Sequence, residues 1–224
     1  MTPGAADTIP VLLPTGAKAE VHVAVEPVAD ARATLILAHG AGSTMDHGFL
    51  VGLSTALRDS GIATVRFNFP YVEAGRRMPG PAAHALATWT AVASHVRSRS
   101  DLPGPVWFAG RSYGGRMASM AVADGLPTAG LVYLGYPLHA PGKPEAPRAE
   151  HLPKISQPQL FVSGTRDPFV DPHSQLEEAV AACADARVHW VEGGTHGFEV
   201  KGNKRPADVI GAELAPIVRE FVLG

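Results

Sequence analysis

The sequence predicts an α/β fold, a doubly wound and mostly parallel sheet within one domain spanning residues 1–224. Three observations carry this. Short runs that are nearly all apolar occur at residues 34–38, 106–109, 129–134 and 159–163, as expected of strands covered on both faces. Stretches with helical periodicity alternate with those runs along the chain. Several of the runs end in small or polar residues (His39-Gly40, Asn68, Gly110-Arg111-Ser112, Gly164), which puts a set of chemically useful loops along one rim of the sheet.

Taken in order, residues 1–14 are rich in Pro, Gly and Ala and are expected to be frayed or bound at an edge. Residues 20–25 alternate and predict a strand exposed on one face, followed by a turn over 26–33. The strand at 34–38 ends in the small-residue loop 39–44. An amphipathic helix over 49–60 is stopped by Gly61, and the strand 62–67 follows. After Asn68-Phe-Pro-Tyr71 come a basic Pro/Gly loop at 76–81 and a long helix at 82–97. The strand 106–109, the serine turn 110–114 and the helix 115–123 form the centre of the chain. The strand 129–134 leads into 136–153, whose five prolines and weak periodicity predict an extended loop in place of a helical lid. A strand at 159–163, a helix at 174–182, a strand at 187–191 and a closing helix at 207–222, kinked or broken at Pro216, complete the pattern.

The chemistry points to Gly110-Arg-Ser-Tyr-Gly114. Strand, sharp turn and helix place one serine at an apex, and the flanking glycines allow the close backbone approach such a turn needs. A serine hydroxyl is a poor nucleophile until a base takes its proton, and the base is held by a carboxylate. Of ten histidines, His196 in Gly193-Gly-Thr-His-Gly-Phe198 has the best context, a glycine-flanked loop after the last predicted strand. Asp167 in Ser163-Gly-Thr-Arg-Asp-Pro-Phe169 directly follows a strand and is the preferred acid, ahead of Asp171, Asp185 and Glu192. Negative charge developing on a carbonyl oxygen needs two N–H donors; Tyr113 and Ala41 are the candidates.

Around them, Arg111, Tyr71, Tyr136, His139 and Phe169 are candidate pocket residues. His39 is a further candidate, read first as a brace for its loop and only second as a proton carrier. Arg111 and Arg116 flank the turn and are expected to pair with surface acids, the alternative being a clamp on a substrate carboxylate. Met117 and Met120 are expected in the core, Cys183 as apolar packing within a helix, and His189 as structural. Lys201, Lys204 and Arg205 form a loose basic cluster read as a solvated loop.

Combined, Leu37-Ala-His-Gly-Ala-Gly42, Arg66-Phe-Asn-Phe-Pro-Tyr71, Gly110-Arg-Ser-Tyr-Gly-Gly-Arg116, Gly135-Tyr-Pro-Leu-His139 and Gly164-Thr-Arg-Asp-Pro-Phe169 resemble the α/β-hydrolase superfamily. The resemblance runs from about Val21 to Leu223 and is narrower for small cap-less bacterial hydrolases near the dienelactone hydrolases. That group includes a subunit of the chromatin NSL complex and testis-expressed relatives. The order Ser112, Asp167, His196 matches the superfamily order. It implies a serine hydrolase of small or exposed carboxylic esters or thioesters, working through an acyl-enzyme. Dienelactone hydrolases proper use cysteine where this chain has Ser112, so the resemblance does not extend to that substrate. A non-catalytic scaffold for protein partners, and an amidase or peptidase with the same three residues, are the alternatives.

Composition narrows the field. Hydrophobic residues make up 46% and the net charge is −2, so nothing attracts a nucleic-acid backbone or an anionic membrane. One cysteine rules out an intrachain disulfide, and no metal-ligand spacing or phosphate-cradling loop is evident, so no cofactor or metal is expected. The first fourteen residues lack the basic and apolar regions of a signal peptide. The expectation is a cytoplasmic monomer or homodimer acting on a small-molecule ester.

Overall fold

Burial on both faces separates the central strands from the edges. In the computed structural model, which describes residues 6–224, eight strands form one sheet. The chain enters through β1 (Ala6–Leu12) and β2 (Lys18–Glu26), then β3 (Ala33–Ala38), α1 (Gly48–Arg58) and β4 (Ile62–Phe67). A single turn of helix, α2 (Pro70–Glu73), precedes the long α3 (Ala82–Arg97). Then come β5 (Val106–Arg111), α4 (Tyr113–Ala123) and β6 (Leu131–Leu134). After a 3₁₀ turn at Leu152–Lys154 follow β7 (Gln159–Gly164), α5 (His173–Ala181), β8 (Ala186–Val191), α6 (Ala207–Glu213) and α7 (Ala215–Leu223).

The order across the sheet is β1-β2-β4-β3-β5-β6-β7-β8. β1 and β2 run antiparallel, as do β2 and β4; every later pairing is parallel. All residues of β3, β4, β6 and β7 are buried, because helices cover both faces and water reaches neither. β2 and β8 keep the alternation of strands nearer the edge.

The two faces hold separate cores. On one, Phe49, Leu53 and Leu57 of α1 meet Ile210 of α6 and Val218 of α7 over Leu35, Val132 and Val162. On the other, Trp89 of α3 and Met117 of α4 pack with Phe67, Phe108 and Tyr133. Burying side chains of this size stabilises by about 1.5–3 kcal/mol each. The parallel strands all end on the same rim, so the loops after β3, β5, β7 and β8 are neighbours.

Several expectations are resolved or corrected. Of residues 1–14, expected to be frayed or edge-bound, the first five lie outside the described residues, and 6–12 follow the edge-bound alternative as a full strand in register with β2. Its outward Pro10 lies where a missing N–H is tolerated, while Ile9 and Val11 point inward. The closing helix is two helices that meet at Leu214, two residues before Pro216, whose ring fits the first turn of α7. α1 ends at Arg58, earlier than expected. Cys183 lies just beyond α5, with its Sγ donating to the Ala179 carbonyl at 3.3 Å. Met117 is in the core, whereas Met120 is only half-buried. Arg205 is not simply solvated: it pairs with Glu213 and donates to the Phe198 carbonyl at 3.3 Å. The segment after β6 carries no helix beyond the one 3₁₀ turn.

Candidate active site

Ser112 directly follows β5 in a conformation few side chains adopt, φ 48° and ψ −113°. The turn is possible because the backbones around it touch. A Cβ on Gly110 would lie 2.3 Å from the Gly115 nitrogen, and one on Gly114 would lie 2.6 Å from the His39 carbonyl. The Ser112 N–H is fixed to the Leu134 carbonyl at 3.0 Å. Ser112 occupies the N-cap position of α4, yet its hydroxyl makes no cap bond to the helix. The hydroxyl is engaged elsewhere: Oγ lies 2.9 Å from His196 Nε2, across 84 residues of sequence.

His196 stands on the loop after β8. Phe198, itself at φ 66°, anchors that loop by stacking on Phe49 in the core. The other ring nitrogen, Nδ1, lies 2.7 Å from Asp167 Oδ2. Asp167 is only 1% exposed, and its second oxygen accepts the Phe169 N–H at 2.9 Å. A buried carboxylate with both oxygens engaged holds the Nδ1–H tautomer, which leaves Nε2 as an acceptor facing the serine hydroxyl. Phe169 lies flat over the imidazole, with ring centroids 4.1 Å apart. The Asp167 and His196 loops are stitched together directly. Arg166 N–H donates to the Gly194 carbonyl at 2.8 Å, and Gly193 N–H donates to Thr165 Oγ1 at 2.8 Å.

Ser112 opens into a cleft of about 350 Å³ lined by Ala41, Tyr113, Arg111, Arg116, Arg148 and Phe169, with His196 on its wall. The N–H groups of Ala41 and Tyr113 donate to no other described residue. Gly40 brings the first of these loops against the serine: a Cβ there would lie 3.6 Å from Ser112 Cβ. Two free donors on either side of a nucleophile are what a developing oxyanion requires.

Four of the six pocket candidates do not reach this cleft. His39 is fully buried, donates from Nδ1 to the Gly40 carbonyl at 2.8 Å and accepts the Phe69 N–H on Nε2 at 3.2 Å. Burial pushes its pKa down from 6.5 to about 4, so it is neutral and braces the loop that carries Ala41. Tyr71 is buried over that loop, its hydroxyl 3.4 Å from the Gly40 carbonyl. Tyr136 is buried and donates to the Arg148 carbonyl at 2.8 Å. His139 is buried with Nδ1 on the Ala140 carbonyl at 2.9 Å. Arg111 and Phe169 do line the cleft. The expected pairing of Arg111 and Arg116 with surface acids is absent among the described residues; Arg111 lies over the Phe49 ring at 5.2 Å. Arg148, within the Pro-rich loop, gave no local signal in the sequence.

Residues 31–218 match the family described as an alpha/beta hydrolase domain. The chain belongs to the alpha/beta hydrolase family. Solved structures agree on the fold at low identity. An alpha-beta serine hydrolase homologue from Coxiella burnetii is 21% identical with a TM-score of 0.73, covering 97% of each chain. A serine hydrolase without lid from Xanthomonas campestris is 23% identical with a TM-score of 0.70, covering 100% of this chain and 99% of that one. Dienelactone hydrolase from Anabaena variabilis is 18% identical with a TM-score of 0.74, covering 99% and 98%. This hydrolase, like the Xanthomonas protein, has no helical lid over its cleft. Among the described residues there is no cluster of metal ligands, and no helix is long and apolar enough to cross a membrane.

Proposed function

We propose that this chain is a serine hydrolase of carboxylic esters, with Ser112 as nucleophile, His196 as base and Asp167 as the acid that orients it. The observation that carries the proposal is the continuous hydrogen-bonded row Asp167–His196–Ser112, with spacings of 2.7 and 2.9 Å. Ser112 Oγ attacks the ester carbonyl as His196 Nε2 takes its proton, and the carbonyl oxygen becomes an oxyanion held by the Ala41 and Tyr113 N–H groups. The tetrahedral centre collapses, the C–O bond to the alcohol breaks, and His196 returns the proton to the departing oxygen. Water then repeats the sequence: His196 takes one of its protons, the hydroxide adds to the acyl carbon, and Ser112 leaves with that proton restored. One ester and one water give one acid and one alcohol. Asp167 remains a carboxylate throughout and stabilises the imidazolium.

The lidless cleft favours short or exposed acyl groups, and thioesters fit the same chemistry. The first test is p-nitrophenyl acetate turnover by wild type and Ser112→Ala. Loss of about 10⁴-fold or more in kcat is expected, with an unchanged far-ultraviolet spectrum. Equal turnover by the two proteins, or failure of a fluorophosphonate probe to label Ser112, would overturn the proposal.

A further inference from the structure

The wall of the cleft is cationic, and no carboxylate lies on it. Arg111, Arg116 and Arg148 all line the space in front of Ser112, although the whole chain carries a net charge of −2. Like charges gathered around one cavity repel each other, so their presence needs a compensating partner. Arg111 has a partial one. Glu199 acts on it through space, but the Glu199 carboxylate is engaged by Thr195, and Arg111 also rests on Phe49. Arg116 and Arg148 have none: neither guanidinium forms an ion pair or donates a hydrogen bond to a described residue. The Arg116 Nε is buried and without an acceptor. Burial lowers the Arg116 pKa, and the nearby Arg148 charge lowers it further.

Both are nonetheless held in place. Arg116 follows Ser112 by one helical turn, its N–H bonded to the Ser112 carbonyl at 3.1 Å, so the two side chains share a face of α4. Arg148 is exposed, but its peptide is tied on both sides: its N–H to the Leu138 carbonyl at 2.6 Å, and its carbonyl to the buried Tyr136 hydroxyl at 2.8 Å. A second groove of about 350 Å³ continues from the cleft and shares these same two arginines. Asp124, Glu150 and Lys154 also line that groove, and neither acid pairs with either guanidinium.

Resting on the hydrolase reading, we infer that the substrate ester carries an anionic group, a carboxylate or a phosphate, bound between Arg116 and Arg148 while its carbonyl lies at Ser112. Guanidinium groups suit such oxyanions because each offers parallel N–H donors. The open groove beyond them leaves room for the rest of an acidic substrate. Tyr136 serves as a positioning residue, since its hydroxyl fixes the peptide that presents Arg148.

The test is a charge series at constant length. Four p-nitrophenyl esters would be compared: hexanoyl, 5-carboxypentanoyl, 5-phosphonopentanoyl and 5-trimethylammoniopentanoyl. A second set would carry the same charges on the alcohol of an acetate ester. The anionic esters of at least one set should exceed the neutral ester in kcat/KM by about tenfold or more, with the cationic ester below both. The carboxylate and phosphonate arms identify the anion, and the responding set identifies its side of the carbonyl. The anionic-to-neutral ratio should fall with salt, drop about tenfold in Arg116→Gln and Arg148→Gln, and recover in part in Arg148→Lys. Arg148→Gln lies on an exposed loop and disturbs no core. In the Ser112→Ala protein, calorimetry should detect binding of hexanedioate and none of hexanediamide, with hexanedioate binding lost in the added Arg148→Gln. Neutral turnover without anionic preference, or a preference that survives both arginine substitutions, overturns this inference and leaves the hydrolase reading intact. Absent turnover of every ester removes the hydrolase reading instead, and the calorimetric result still decides whether the cleft binds an anion.

Discussion

Ser112 concentrates the conflict between folding and chemistry in one residue. A non-glycine residue at φ 48°, ψ −113° stores strain of about 1–3 kcal/mol, which the surrounding packing must offset. Removing the hydroxyl and removing the strain can be separated. Ser112→Ala and Ser112→Gly both lose the bond to His196, but only glycine relaxes the backbone. Ser112→Gly should therefore melt about 2–4 °C above Ser112→Ala while being equally inactive, the shift expected of about 1 kcal/mol in a chain this long. Differential scanning calorimetry measures it; equal melting points would mean that the strain is negligible. At this scale the hydrogen-bonded row of Ser112, Asp167 and His196 was legible because each lies on a loop after a predicted strand, beside glycine or a turn residue. The pocket was less so. His39, Tyr71, Tyr136 and His139 lie on rim loops in sequence, yet a loop residue turns inward when its backbone has carbonyls and N–H groups to satisfy. Nothing in the local sequence shows which way it turns.

Between elements, the decisive contact is backbone against backbone. β7 ends at Gly164, where a Cβ would lie 2.1 Å from the Gly194 carbonyl. That carbonyl receives the Arg166 N–H, so the loop bearing Asp167 and the loop bearing His196 are built as one unit. Gly164→Ala should force them apart and lower kcat by about 10²-fold, the usual cost of misplacing a catalytic group by 1 Å, with a lower melting temperature. Normal kcat in a folded variant would show that the loops set their geometry independently. The central strands were legible from apolar runs because burial on both faces leaves no other composition. β1 was not fully legible: its alternating Ile9 and Val11 are the signal, and Pro10 between them masks it. The division of α6 from α7 was legible at Pro216, which lies in the first turn of the second helix, although the first ends earlier, at Glu213.

Across the whole molecule, the fold keeps imidazoles neutral that water would protonate. Burial pushes the pKa of His39 and of His151 from 6.5 to about 4 and lowers that of His47. In the unfolded chain these groups take up protons as pH falls through 6.5, while in the folded chain they do not until about 4. The unfolded state then binds more protons, so their contribution to stability is complete above 6.5 and is lost as pH falls toward 4. Carboxylates with lowered pKa values, Glu73 and Glu199, act with the same sign, but only as pH falls through their ordinary 4.5. Between about pH 6.5 and 5 the slope of stability therefore belongs to the buried histidines. His39→Gln keeps a polar side chain but cannot take up the proton, and it loses one of the two bonds that brace the Ala41 loop. Urea titrations should find this variant less stable than wild type at pH 7, with the gap narrowing steadily toward pH 5 as wild type alone bears the cost of excluding a proton. A gap that stays constant across that range would mean that His39 is not what makes the fold acid-sensitive. The same brace also holds the proposed oxyanion donor Ala41, so one imidazole links the acid limb of stability to the geometry of the candidate site.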